Sequence, residues 1–196
     1  AVAQLLATQL AIGNDRKLVG FPVAVLQALP APAGRDAQHR LGQRTDQAVT
    51  SGAALRMAGL DWLVQAHAIY SDIGDEMRPI PGHKSIVRVD NGEVLGIVGQ
   101  RYRPVQNEEA FSWLDGLVGS RMAIYETAGS IKGGALVWAL VRLPGELRIQ
   151  GTDDVVKPFI LVCNSHDGSI AFRALNTSVR VVCANTLTMA LSGAGL

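Results

Sequence analysis

Asn91-Gly92 is the pair of residues that most narrows what this chain can fold into. A type I′ turn needs positive φ at two successive positions, which Asn and Gly tolerate best, and it joins two antiparallel strands. The flanks fit: Lys84-Ser-Ile-Val-Arg-Val89 precedes the turn and Val94-Leu-Gly-Ile-Val98 follows it, both rich in β-branched residues. A hairpin over 84–98 is therefore expected. With it comes an antiparallel sheet, not the parallel sheet of a doubly wound nucleotide fold.

The remaining pattern extends that reading. Ala53, Ala54, Met57 and Ala58 recur at helical spacing after Thr50, with Gly59 as the C-terminal stop. Residues 62–70 read as a strand. Asn107 is expected to cap a helix running to Val118, with Glu108 and Glu109 in the first turn, an apolar stripe of Ala110, Phe111, Leu114 and Val118, and Gly119 as its end. Strands are predicted over 122–129, 135–143 and 155–163, the first two joined by a hairpin at Lys132-Gly-Gly134. A shorter strand over 170–175 and a helix within 179–191 follow. The fold class is α+β: an antiparallel sheet with packed helices, a helix-β-β-β-helix core preceded by a β-hairpin.

Two segments differ in character. Residues 1–37 contain Pro22, Pro30 and Pro32 and read as an N-terminal arm or linker, with a short helix over 1–12 closed by Gly13 and a loop over 26–34. The arm is a candidate docking or oligomer-locking segment. Residues 38–196 are expected to form a single α+β domain.

The chain has 196 residues, of which 48% are hydrophobic and 18% charged, enough for one domain with a substantial core. No apolar run reaches the roughly 18 residues of a bilayer span, and no basic leader marks a secretory signal. Eighteen Lys and Arg against seventeen Asp and Glu leave a net charge of +1, without the basic excess of a tight nucleic-acid binder. A polyanion site must then come from local clustering, or from a patch repeated in an oligomer. Two cysteines, Cys163 and Cys183, make neither a disulfide framework nor a metal cluster and are expected to be reduced.

Few motifs carry chemistry. No phosphate loop is present, and Gly129-Ser-Ile-Lys-Gly-Gly134 lies between strands, where a hairpin explains it. His39, His67, His83 and His166 are scattered, so no metal site and no cofactor are expected. Asn164-Ser-His-Asp-Gly168 admits two readings. It has the composition of a tight turn. It also offers His166 as a base and Asp167 as its orienting carboxylate, with Cys183 as a nucleophile near a helix start. Arg101-Tyr-Arg-Pro104 sets two guanidiniums around an aromatic ring, and Lys132, Arg142 and Arg173 lie on or beside strands. Such residues suit a single strand of nucleic acid, its phosphates neutralised and its bases stacked.

Several stretches together resemble a family of phage- and plasmid-borne proteins of unknown function. They are Leu41-Gly-Gln-Arg-Thr-Asp46, Ala58-Gly-Leu-Asp-Trp62, Pro81-Gly-His-Lys84, Val94–Gly99 and Arg101-Tyr-Arg-Pro-Val-Gln-Asn-Glu-Glu-Ala-Phe111, then Tyr125-Glu-Thr-Ala-Gly129, Asn164–Gly168 and Arg180-Val-Val-Cys-Ala-Asn-Thr-Leu187. The family usually opens with Trp-His-Gly-Leu-Gly, for which Gln38-His-Arg-Leu-Gly42 stands here, and its usual C-terminal portion is absent, so 38–196 is expected to be an incomplete copy. The resemblance implies carriage by a mobile element and a cytoplasmic location. The helix-β-β-β-helix order is similar to that of the single-strand annealing superfamily used in phage recombination, by fold-level analogy.

The leading expectation is a non-enzymatic, homo-oligomeric protein that binds single-stranded DNA and supports annealing or recombination, with no membrane partner. Arg101, Arg103, Lys132, Arg142 and Arg173 would meet phosphate and Tyr102 would stack. The alternatives are a thiol-dependent hydrolase or transferase using Cys183, His166 and Asp167, and a counter-defence or scaffold protein that binds another protein.

Overall fold

The computed structural model describes residues 42–74, 76–148 and 155–192; the readings for residues 1–37 lie outside them. The first described element is β1 (Gly42–Arg44), followed by α1 (Ser51–Ala58). Thr50 accepts the Ala53 amide at 3.2 Å to cap α1, and Gly59, at φ +66°, ends it as expected. Then come β2 (Val64–Ile73), β3 (Glu76–Arg88) and β4 (Val94–Gly99). Two short helices, α2 (Asn107–Phe111) and α3 (Leu114–Gly119), lead into β5 (Ile124–Ile131). A single 3-10 turn at Lys132–Gly134 connects β5 to β6 (Leu136–Arg142). The small strands β7 (Leu147–Arg148) and β8 (Val155–Val156) precede β9 (Phe159–Ser165), β10 (Arg173–Thr177) and α4 (Ala184–Ser192).

The class is α+β with antiparallel sheets. Five strands pair in the order β1-β5-β6-β9-β10, three in the order β2-β3-β4, and β7 pairs with β8. Between α3 and α4 lie four strands of the larger sheet, with β7 and β8 inserted among them.

Some predicted elements change shape for identifiable reasons. The 84–98 hairpin forms, but its turn is wider than type I′: Gly92 takes φ +73° while Asn91 does not take positive φ. The Gly92 amide donates to the Arg88 carbonyl, and Asn91 Oδ1 accepts from the Glu93 amide. The helix expected over 107–118 breaks at Ser112, whose hydroxyl donates back to the Glu109 carbonyl at 3.2 Å. Asn107 does not cap it; Gln106 holds that position. The strand expected over 155–163 splits at Lys157-Pro158, because proline has no amide to give a ladder.

Both faces of the larger sheet are covered, which explains why β6 and β9 read as unbroken apolar runs. Val137, Ala139, Val141, Ile160 and Val162 face one side, where they pack with α1, α2 and α3 and with Trp62, Ile86, Leu95 and Val98 from the smaller sheet. Leu136, Trp138, Leu140, Leu161 and Cys163 face the other side, beneath Val181, Leu187 and Ala190. Each such buried aliphatic side chain stabilises the fold by about 1.5–3 kcal/mol.

The smaller sheet enters this core only at its inner end. From Gln65 to His83 every described residue is exposed except the half-buried Ile69 and Ser71. The β2–β3 ribbon is therefore an arm. Its ladder slips between Ala68 and Tyr70, where residues 80–83 of β3 bulge outward.

Candidate functional site

Two regions gather polar chemistry, and the Asn164–Gly168 loop is the first. Its turn character is borne out in part: Asn164 and Ser165 end β9, and beyond them the chain bends, with Gly168 at φ +75°, Asp167 Oδ1 accepting the Ser169 amide at 2.8 Å, and Ser165 Oγ donating to the Ile170 carbonyl at 2.7 Å. His166 is fully buried, edge-on to Trp62 with ring centroids 5.4 Å apart. Its Nε2 lies 2.9 Å from Asn107 Oδ1, and the Asn107 amide nitrogen donates to the Leu60 carbonyl at 2.8 Å. Asn107 can thus only accept from the ring, so the proton sits on Nε2 and Nδ1 keeps a buried lone pair. Burial pushes His166 down to about 4, against a small opposing pull from the Asp167 charge.

That arrangement does not assemble a catalytic triad. No hydrogen bond joins His166 to Asp167. Burial raises the Asp167 carboxyl, but its hydrogen bonds with Ser169 and the charge of Lys132 outweigh this and hold it below the ordinary range. Cys183 lies just ahead of α4, whose Leu187 packs on the opposite face of the larger sheet from Asn107 and Trp62. Its thiol is held below its ordinary value, chiefly by hydrogen bonding with Thr186. The sheet stands between this thiol and the imidazole assigned to activate it.

The loop instead works as a joint. Asn164 Nδ2 donates to the Val105 carbonyl at 3.0 Å, and Tyr102 Oη donates to the Ser165 carbonyl at 2.6 Å. Gly96 of β4 lies so close to Asp167 that a Cβ there would sit 2.7 Å from the Asp167 Cα. Arg88 stacks over Trp62, 4.3 Å from the ring centroid, while its guanidinium grips Asp90 and the Gly133 carbonyl. The 180–187 stretch is a second joint: Arg180 pairs with Glu126 at 2.8 Å, and the Val181 carbonyl accepts Thr127 Oγ1 at 2.7 Å.

The second region lies at the base of the arm, where β2, β3 and the end of β4 enclose an open groove of about 370 Å³. His67, His83, Lys84 and Gln100 line it together with Ile80 and Pro81, and no carboxylate is among its lining residues. Lys84 Nζ donates to the Gln100 carbonyl at 3.0 Å, and the Gln100 amide donates to the Gly82 carbonyl at 2.8 Å. Exposed Arg101 and Arg103 follow directly, on either side of the half-buried Tyr102. Since Tyr102 Oη is bonded to Ser165, that ring serves as an anchor in the joint and not as an open stacking platform.

The six residues assigned to nucleic acid do not share one surface. Lys132 precedes β6 and Arg142 ends it, on opposite ends of the strand, and Arg142 is paired with Glu126 at 3.3 Å. Arg173 lies on β10, an edge strand of the larger sheet. Arg101 and Arg103 follow the groove residue Gln100 in the chain without lining the groove themselves. His67, His83 and Lys84 were not singled out for this role, although His67 pairs with Ser85 across the ladder and so lies one pleat from His83 on the same face.

Among the described residues no group of three or more His, Cys, Asp or Glu could hold a metal, and no helix is long and apolar enough to cross a membrane. These features define an α+β protein with a projecting two-stranded arm and, at its base, a groove lined by Lys84 and two histidines with no carboxylate. The chain belongs to the family described as a domain of unknown function, DUF932, whose profile matches residues 94–195. The matched span starts at β4 and takes in both joints. No curated protein and no solved structure matches the chain.

Proposed function

We propose that this is a non-enzymatic, cytoplasmic protein that binds single-stranded DNA as a homo-oligomer and supports annealing or recombination. The observation that carries it is the carboxylate-free groove of His67, His83 and Lys84, with exposed Arg101 and Arg103 next in the chain after its lining residue Gln100. A backbone of phosphates is the ligand such a row of donors recognises without base readout. The joints serve this reading mechanically. Tyr102, bonded to the Asn164–Gly168 loop, fixes the segment that presents the two guanidiniums. The resemblance to phage and plasmid proteins and to the annealing superfamily points the same way, by analogy.

The test is fluorescence anisotropy of a labelled ~40-nucleotide strand over a salt series. Binding should weaken linearly in log salt, with a slope of about −0.7 for each phosphate neutralised. A salt-independent interaction, or none at low salt, overturns the reading. A second reading, a scaffold that docks another protein, is favoured by the large apolar residues exposed on the arm, Tyr70, Ile73 and Met77.

A further inference from the structure

The outer part of the arm exposes Tyr70, Ile73 and Met77 at 53%, 56% and 66%. A two-stranded ribbon with no covering layer is marginal in water. Large apolar side chains at such a tip gain nothing until another surface covers them. The arm is also electrically polarised. By sequence residues 70–79 carry Asp72, Asp75 and Glu76 against Arg78 alone, which pairs with Glu76 at 3.0 Å and leaves the stretch net acidic. The groove at the base carries His67, His83 and Lys84 with no carboxylate, and apolar walls from Ala66, Ile80 and Pro81. Acidic and apolar at one end, cationic and apolar at the other, the two ends complement each other.

We propose that the arm tip of one copy seats in the arm-base groove of a second copy. The tip of the same copy is the continuation of the ribbon that forms the groove, so the ribbon would have to double back to fill it. A second copy meets no such obstacle. Asp72 then faces Lys84 and Arg101, beside the Glu76–Arg78 pair, and Tyr70 and Met77 lie against Ile80 and Pro81. The contact is heterologous, tip to groove, so it repeats from copy to copy into a ring or a filament. The proposal rests in part on the groove being a polyanion site, and it adds a means of regulation. The carboxylates of the tip and the phosphates of a nucleic acid compete for the same cations, so the assembly binds a strand through grooves whose tip has left while the tips still docked hold the copies together.

The experiment combines light scattering after size exclusion with strand anisotropy, on the full chain and on Asp72→Lys/Glu76→Lys. Both substituted positions are exposed. The unsubstituted chain should be oligomeric and the double variant close to monomer mass. Mixing the double variant with a Lys84→Glu copy should restore assembly by exchanging the charges. If roughly one groove in ten is free in the assembly, the double variant binds the strand about tenfold more tightly. A double variant that keeps the oligomer mass, or an unsubstituted chain that is monomeric throughout, overturns the docking. If the double variant dissociates while neither protein binds the strand, the docking stands and the nucleic-acid reading fails.

Discussion

At the scale of single residues, the buried imidazole of His166 stabilises the fold only while it stays neutral. Its folded value of about 4 lies below the ordinary 6.5 because charging it buries a cation with no new partner. The unfolded chain therefore binds the proton first. The contribution is fully present above pH 6.5 and is lost as pH falls toward 4, amounting to about 3 kcal/mol. A His166→Gln variant, which keeps an N–H for Asn107 but does not titrate, should show a flatter stability profile between pH 6.5 and 4 in urea denaturation. Equal slopes for the two proteins would show that His166 is not the titrating group. The two thiols part in the same way. Burial pushes Cys163 up to about 12, whereas Cys183 is half-buried and held below its ordinary value. At neutral pH one equivalent of iodoacetamide should react with the folded protein at Cys183, and Cys163 should react only after unfolding. Sequence set Cys183 near a helix start, but it could not show that Cys163 lies buried beneath that helix, because the face a strand residue takes depends on register.

At the scale of elements, the joints make sharper predictions than the strands they connect. A Cβ on Gly96 would press on the Asp167 backbone, whereas one on Gly99, three residues along β4, meets nothing within 4 Å. Gly96→Ala should cost about 1–3 kcal/mol by overpacking. Gly99→Ala should stay within about 0.5 kcal/mol. Chemical denaturation of both variants checks this, and equal stabilities would contradict the joint. What was legible in the sequence is local. Thr50 and Gly59 bound α1, the Lys132-Gly-Gly134 turn joins β5 to β6, and Asp90–Glu93 closes a hairpin, because a few neighbouring side chains settle each of these. What was not legible depends on distant partners. β1 is three residues long and exists through pairing with β5. Gln106 holds the cap position of α2 but gives it no side-chain hydrogen bond, because both ends of its amide bond the Val64 backbone, at 3.0 and 2.9 Å. Tyr70, Ile73 and Met77 look like core residues in the chain and are exposed in the fold.

At the scale of the whole molecule, a net charge of +1 says nothing about where the charges fall. Arg142 and Arg180 are spent on Glu126, and Arg88 on Asp90. The groove holds Lys84 with no carboxylate among its lining residues. The sequence identified Arg101 and Arg103 because two guanidiniums flank an aromatic residue. It missed the groove beside them because His67 and His83 come from two strands brought together by the ladder. The most direct measurement is strand anisotropy across a salt series for the unsubstituted chain, for Arg101→Glu/Arg103→Glu, and for Arg44→Glu/Arg56→Glu as a control away from the groove. The first double variant should bind weakly, with a salt slope shallower by about 1.4, or 0.7 for each lost phosphate contact, while the control keeps its slope. Equal slopes for all three proteins would contradict a nucleic-acid site at the base of the arm.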